Sequence, residues 1–538
     1  MNIWLTKSFY WIIGLIGLLA ISASPAISQK PNILFIMSDD HASQAIGAYE
    51  SHLARLNPTP ILDQLAHEGI LFTNCFVTNS ICTPSRACIL TGQYSHTTGI
   101  LDLEDQLDQS KHNLLETKRH YLPIEIRKQG YETAMIGKWH LETEPNFDYY
   151  NVLPGQGQYF NPVLISKAAK AWPENTKKYD GYCTDVITDL SIEWIKNRDK
   201  TKPFFLMNHF KAPHEPFSYP ERYRDYLKNT DIPEPSSLYS RQGWGSEATR
   251  GRNDSLINCI GSSVSSRNIY GNLVEDYKVD TTLPKDVQTH LAYQFYLSKY
   301  LKCVKAIDDN LKRLFSFLKE SGLWENTIII YTSDQGMMLG AHDFVDKRWM
   351  YDESMRMPFI LYDPRSNRTN KKSDLLINNT DFAPTIIELA GGKVPEYMQG
   401  RSFLKEIKGK TPKNWRTGTY YRYWMHLEHL NVPAHFGLRT KNYKLIFFYG
   451  KHYDRDMDGT KSIYWKDSSA IIRTTPPAWE FYDMKRDPGE LINRYNDVHY
   501  QKIIAAMKKE LAKQRQDLND TDEKYPEIKK IIEENWNK

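Results

Sequence analysis

Five consecutive residues, Cys82-Thr83-Pro84-Ser85-Arg86, concentrate more reactive chemistry than any other stretch of this chain. Thr83 can cap a helix whose first position is Pro84, and Gly92 suits its end. Cys82 then lies beside the positive end of the helix dipole, where anions are stabilised. Arg86, four residues on, shares that side of the helix and faces an anion held near Cys82. Taken alone, these residues leave several readings open. The spacing is too short for a tyrosine-phosphatase-type thiolate loop. Cys75, Cys82 and Cys88 lack the two-residue spacings and nearby histidines of a zinc knuckle, and a buried inert cysteine remains the bland alternative.

The elements that would position this chemistry are legible as short apolar runs. Residues 32–37, 203–208, 327–332 and 358–362 read as strands buried on both faces, the pattern of a parallel sheet. Helical stretches at 184–197 and 291–320 lie between them, the latter with Leu301, Val304, Ile307, Leu311 and Leu314 at spacings of three and four. Alternating strands and helices imply an α/β sandwich around a large, mostly parallel sheet. Ligands in such sheets sit at the carboxyl ends of strands. Here those ends carry Asp39-Asp40 and Asp334-Gln335, two acidic turns that read as one site.

After about residue 400 the texture changes. Residues 418–424 and 443–449 read as aromatic or β-branched strands and residues 498–515 as a charged amphipathic helix, a smaller C-terminal α+β subdomain with a short antiparallel sheet. The expected organisation is a leader over 1–28, a catalytic domain over 29–400 and this subdomain over 401–538, with a polar insertion at 231–290. Residues 9–21 are apolar, follow Lys7 and precede small residues, which describes a signal peptide and hence an exported, periplasmic or secreted, protein. No later stretch is apolar enough to span a membrane. The chain of 538 residues is 41% hydrophobic and 13% aromatic, a globular composition, and its net charge of +4 gives no reason to assign nucleic acid as a partner. Six cysteines are too few for a disulfide scaffold, and if one is consumed chemically at least one of the others stays unpaired.

The Cys82–Arg86 segment resembles the signature of the type I sulfatases, in which an export-coupled enzyme oxidises the cysteine to formylglycine. Companion segments match along nearly the whole chain: residues 32–40, Thr91-Gly92-Gln93-Tyr94, Gly137-Lys138-Trp139-His140, Ala212-Pro213-His214, Ser333-Asp334-Gln335-Gly336, Leu339-Gly340-Ala341-His342 with Lys347, and residues 481–490. The resemblance implies an alkaline-phosphatase-like fold. It implies Asp39, Asp40, Asp334, Gln335 and the modified Cys82 as ligands of Ca2+, a hard cation suited to an all-oxygen set. Gln335 departs from the asparagine or histidine of many relatives, and its extra methylene changes the reach. A formylglycine-generating or anaerobic maturase enzyme is the implied partner. The aldehyde would hydrate, attack sulfur through one hydroxyl and expel sulfate through the other. Arg86, Lys138 and Lys347 are the implied sulfate clamps, His140 the base and His214 the acid, with Lys347 assisting; His342 takes no assigned role.

The substrate expected is a sulfated polysaccharide or its oligosaccharides. Algal ulvan-type chains are favoured on the lysine- and asparagine-rich texture, with heparan- or chondroitin-type glycosaminoglycans as the alternative and a phosphatase or phosphonate monoester hydrolase of the same superfamily behind both. Tyr420, Tyr421, Arg422, Tyr423, Trp424, His426, His429 and His435 form an aromatic, basic cluster suited to sugar rings and acidic groups, with Arg422 and His426 the favoured contacts.

Overall fold

The computed structural model describes residues 30–538 except 104–113, 169–170, 240–242, 251–255, 260–279, 281, 428–431 and 454–473. The expected leader, about half of the 231–290 insertion and His429 therefore lie outside the described residues.

The apolar runs become the middle of a ten-stranded sheet. The strand Asn32–Asp39 lies at its centre, paired in parallel with Thr327–Ser333 on one side and Phe204–Pro213 on the other. Next to Phe204–Pro213, again in parallel, runs Glu132–Lys138, and then Tyr149–Leu153. Phe359–Tyr362 departs from the expected direction: it is antiparallel to both of its neighbours, Thr327–Ser333 and Ile70–Phe72. A short run buried on both faces reads the same in either direction, so the sequence carries no signal for this.

Two helix groups cover the sheet. Phe35, in register with Met207, packs on Phe382 of the helix Phe382–Leu389, which groups with Cys82–Thr91 and Tyr121–Lys128. The next residue, Asn208, must face the other way. It accepts a hydrogen bond from Ser191 Oγ of the helix Cys183–Asn197 (2.7 Å), which packs against the long helix Lys285–Glu320. These are the layers of an α/β sandwich.

The strands Gly418–Tyr423, His435–Thr440, Tyr443–Phe448 and Ala478–Asp483 form a second, antiparallel four-stranded sheet. Its residues alternate. Tyr420, Phe436, Leu438, Leu445 and Phe481 pack with Ile504, Met507 and Leu511 of the helix Gln501–Asp517, whereas Tyr421, Tyr423, Ile446, Phe448 and Tyr482 join the core of the large sheet. Period-two patterning thus glues this sheet onto the main body. Among the described residues no helix is long and apolar enough to cross a membrane.

One long-range cap ties the layers together. The helix Pro60–Glu68 has no side-chain cap of its own, and Asp308 supplies it by accepting from the Ile61 and Leu62 backbone N–H groups at 3.1 Å. Replacing Asp308 with alanine is expected to cost about 1–2 kcal/mol of stability, measured by the urea midpoint. Burial raises this carboxyl from 3.8 to about 7, so the folded state holds the proton longer and stability falls as pH climbs between those values. Asp308→Asn should remove that slope.

Candidate active site

Four parallel strands end at one crevice, and each delivers charged groups there. Asn32–Asp39 brings Asp39 and Asp40, Thr327–Ser333 brings Asp334 and Gln335, Glu132–Lys138 brings Lys138 and His140, and Phe204–Pro213 brings His214. The crevice lies where strand order reverses on either side of Asn32–Asp39, the expected ligand position in such sheets.

The reactive segment differs in detail from the sequence expectation. The helix begins at Cys82 rather than after Thr83, with Ile81 as its extended preceding residue, and Pro84 falls in the first turn, where a missing N–H costs nothing. Gly92 ends it in the left-handed region (φ 67°). Cys82 is buried at the helix start. Burial and the adjacent Asp39 push its thiol up to about 12, so the helix N-terminus does not by itself create a thiolate.

Around Cys82 acids and bases interlock. Arg86 donates from Nε to Asp334 Oδ2 at 3.0 Å and from NH1 to the Lys138 carbonyl at 2.7 Å, while NH2 lies 3.4 Å from Asp39 Oδ1. Lys138 pairs with Asp39 and donates to Gln156 Oε1 (2.6 Å), and Lys347 pairs with Asp40. Burial raises all three carboxyls; for Asp39 the cations Lys138 and Arg86 win and hold it well below the usual range, whereas Asp40 and Asp334 stay raised. Gln335 spans the gap: its Nε2 donates to Asp40 Oδ1 at 2.5 Å and lies 3.4 Å from Cys82 Sγ.

Carboxylate oxygens of Asp39, Asp40 and Asp334 lie within 4.8 Å of one another, all buried. Three like charges that close in a dry site repel strongly unless a cation sits among them. Gln335 Oε1 has no hydrogen-bond partner among the described residues, and a half-turn of the amide presents it to the carboxylates. This oxygen-rich donor set fits a hard divalent cation.

The histidines flank this centre. His214 Nε2 lies 3.6 Å from Asp40 Oδ2, and its Nδ1 is 3.0 Å from the Glu215 carbonyl and 3.2 Å from Glu215 Oε2. His140 is buried with a left-handed backbone (φ 59°). Burial and then the neighbouring cations, Lys138 for His140 and Lys347 for His214, hold both imidazoles well below their ordinary value. His342 packs between Trp244 (5.0 Å) and Tyr351 (5.1 Å).

Several contacts of the crevice carry no sequence signal. Ser85 Oγ donates to the Asp334 carbonyl (2.5 Å) and receives Asn379 Nδ2 (3.1 Å), while Asn379 Oδ1 accepts from Thr78 N and Oγ1. Ser85 thereby ties the reactive helix to the acidic strand end, and Asn379 ties the same helix to Thr78. Gln156, Lys211 and Glu215 join the site only through the fold.

The two expected substrate contacts are corrected. Arg422 spends its guanidinium inside the small sheet, on Asp520 (2.7 Å) and Asp522 (2.5 Å), with Trp424 stacked 3.5 Å away. An aromatic, basic stretch looks the same whether it faces a ligand or its own chain, and here the acids lie about a hundred residues downstream. His426 is equally buried, and its Nδ1 accepts from the Ala434 backbone N–H at 3.0 Å. Tyr420 and Tyr421 likewise bond Asp520 and the Arg348 carbonyl. Arg422→Ala should therefore strand two buried carboxylates and cost about 3–5 kcal/mol in denaturant titration, with KM unchanged in the folded fraction.

Comparison with known proteins identifies the family. The sulfatase family model matches residues 31–392, and that of the N-sulphoglucosamine sulphohydrolase C-terminal region matches 340–517. An N-acetylglucosamine-6-O-sulfatase of Bacteroides thetaiotaomicron is 36% identical over 537 residues, covering 92% of this chain and 88% of that protein. The human N-acetylglucosamine-6-sulfatase is 26% identical over 430 residues, covering 76% of this chain and 70% of the relative. A solved structure in complex with its substrate D-glucosamine-2-N,6-O-disulfate superposes with a TM-score of 0.76 at 34% identity, over 92% of this chain and 99% of that one. The chain belongs to the type I sulfatase family. It is an enzyme, a sulfuric ester hydrolase with the alkaline-phosphatase-like α/β fold.

Proposed function

We propose that this sulfatase removes the 6-O-sulfate from glucosamine-type residues of glycosaminoglycan-derived oligosaccharides, using a formylglycine made from Cys82 beside a bound calcium ion. The observation that carries the reading is the near-full-length likeness to an N-acetylglucosamine-6-O-sulfatase in a chain that assembles Asp39, Asp40, Asp334, Arg86, Lys138 and Lys347 around Cys82. Composition pointed to an algal ulvan-type substrate; the named relatives favour the glycosaminoglycan alternative instead.

Asp39, Asp40, Asp334 and Gln335 would hold the calcium ion. When present, the two groups supply a hydrated aldehyde as nucleophile and a local positive charge. The remaining chemistry belongs to the side chains. Arg86, Lys138 and Lys347 receive the sulfate oxygens as they pivot from their carboxylates, and stabilise charge that builds in the transition state. His140, held neutral, accepts a proton from residue 82. His214 has Nδ1 committed to Glu215 and offers Nε2 to the departing sugar oxygen. An anionic sulfate offsets the cations that keep this imidazole neutral, so the acid is charged when substrate is bound. We further propose that the chain is exported and that Cys82 is converted by a formylglycine-generating or anaerobic maturase enzyme, as its leader and motif suggest.

Desulfation of a panel of defined mono- and oligosaccharides tests the reading. Loss of the 6-O-sulfate of N-acetylglucosamine derivatives, with paired phosphate esters turned over far more slowly, is expected; exclusive action on algal glycans or on phosphates overturns it. Cys82→Ala should lower kcat/KM by at least about 10³-fold, the scale for a lost nucleophile, without changing the far-ultraviolet circular dichroism. Chelation should abolish turnover, and added calcium should restore it.

A further inference from the structure

Lys211 is a buried cation with no carboxylate at ion-pair distance among the described residues; Asp39 and Glu215 act on it from farther off. The strand Phe204–Pro213 runs in register with Asn32–Asp39 until Ser38 faces Phe210; Asp39 then faces Pro213, so Lys211 and Ala212 form a bulge opposite that aspartate. Bulges re-aim side chains and cluster beside active sites. Lys211 is 3% exposed, and the attraction of Asp39 and Glu215 does not offset its burial. Its contact is the face of Tyr159, 4.9 Å from ammonium to ring centre. Tyr159 in turn donates to the His214 carbonyl. The same 154–159 loop carries Gln156, which accepts from Lys138, so the two ammonium groups border one loop. Burial, with Lys138 close by, lowers Lys211 to about 8.

A buried ammonium without a close counter-ion is costly, and neutral residues of similar size pack such a place better. A cation retained there is explained by an anion that arrives later. We propose that Lys211 is a further sulfate-binding residue of this site, a fourth cation beside Arg86, Lys138 and Lys347 that pairs with the sulfate group of the substrate and with inorganic sulfate as product. The proposal rests on the sulfatase reading but does not depend on which sugar carries the ester.

The test uses the calcium-loaded, matured enzyme and inorganic sulfate as the probe, read as the sulfate-dependent rise in melting temperature and as competitive inhibition of desulfation. Lys211→Met and Lys211→Gln are expected to weaken sulfate binding about 10-fold or more, the scale for a lost charge-assisted hydrogen bond. Their melting temperatures without sulfate should equal or exceed that of the wild type, because a buried charge without a close counter-ion is gone. Lys211→Arg should keep part of the sulfate response. Wild-type sulfate affinity in both neutral variants, or a loss of sulfate-free stability with sulfate binding intact, overturns the proposal and leaves Lys211 a packing residue. A wild type that desulfates no sugar refutes the functional reading instead, while the melting response to sulfate still decides the role of Lys211.

Discussion

Three carboxylates converge in a space from which water is excluded, and much of the molecule is organised to tolerate that. Asp39, Asp40 and Asp334 come from adjacent strand ends, so the central register alone brings them together. Arg86, Lys138 and Lys347 offset them charge for charge. A dication held by these carboxylates would leave the crevice with a positive surplus, which a sulfate group would offset. On the proposed function, cation binding and anion binding would reinforce one another, since each charge would offset the other in the crevice.

Rigid support comes from buried polar ties that span long stretches of chain. Asn379 joins Thr78 and Ser85 and so fixes the helix that starts at Cys82. Farther out, Asp352 binds Arg439 (2.8 Å) and Lys444 (2.8 Å), and Lys444 reaches Glu490 (2.6 Å), which ties the small sheet to the segment following Lys347. The Arg422 pairs with Asp520 and Asp522 close the same sheet from its other side. These networks anchor the small sheet to the main body beside the crevice.

The architecture was largely legible because burial on both faces writes continuous apolar runs into parallel strands, and because acidic residues directly after such runs are rarely accidental. Arg86 was legible from helical spacing. Lys138, His140, His214 and Lys347 are placed by family motif alone, since no local pattern distinguishes them from structural residues. Lys211, Glu215, Gln156 and Asn379 were invisible, as each matters through a neighbour brought in by tertiary pairing. Arg422 was misread for the complementary reason: its counter-ions arrive from a distant loop. The start of the reactive helix was displaced by two residues because Thr-Pro is a strong local start signal, while the backbone around Ile81 and Cys82 is set by packing.

All of this chemistry presumes that residue 82 is not a thiol in the working enzyme. Peptide mass spectrometry of the segment containing Cys82, on active protein from a host with the maturation machinery, tests that presumption most directly. The account predicts an aldehyde at this position in a fraction that tracks specific activity. Full activity with only the intact thiol would contradict it.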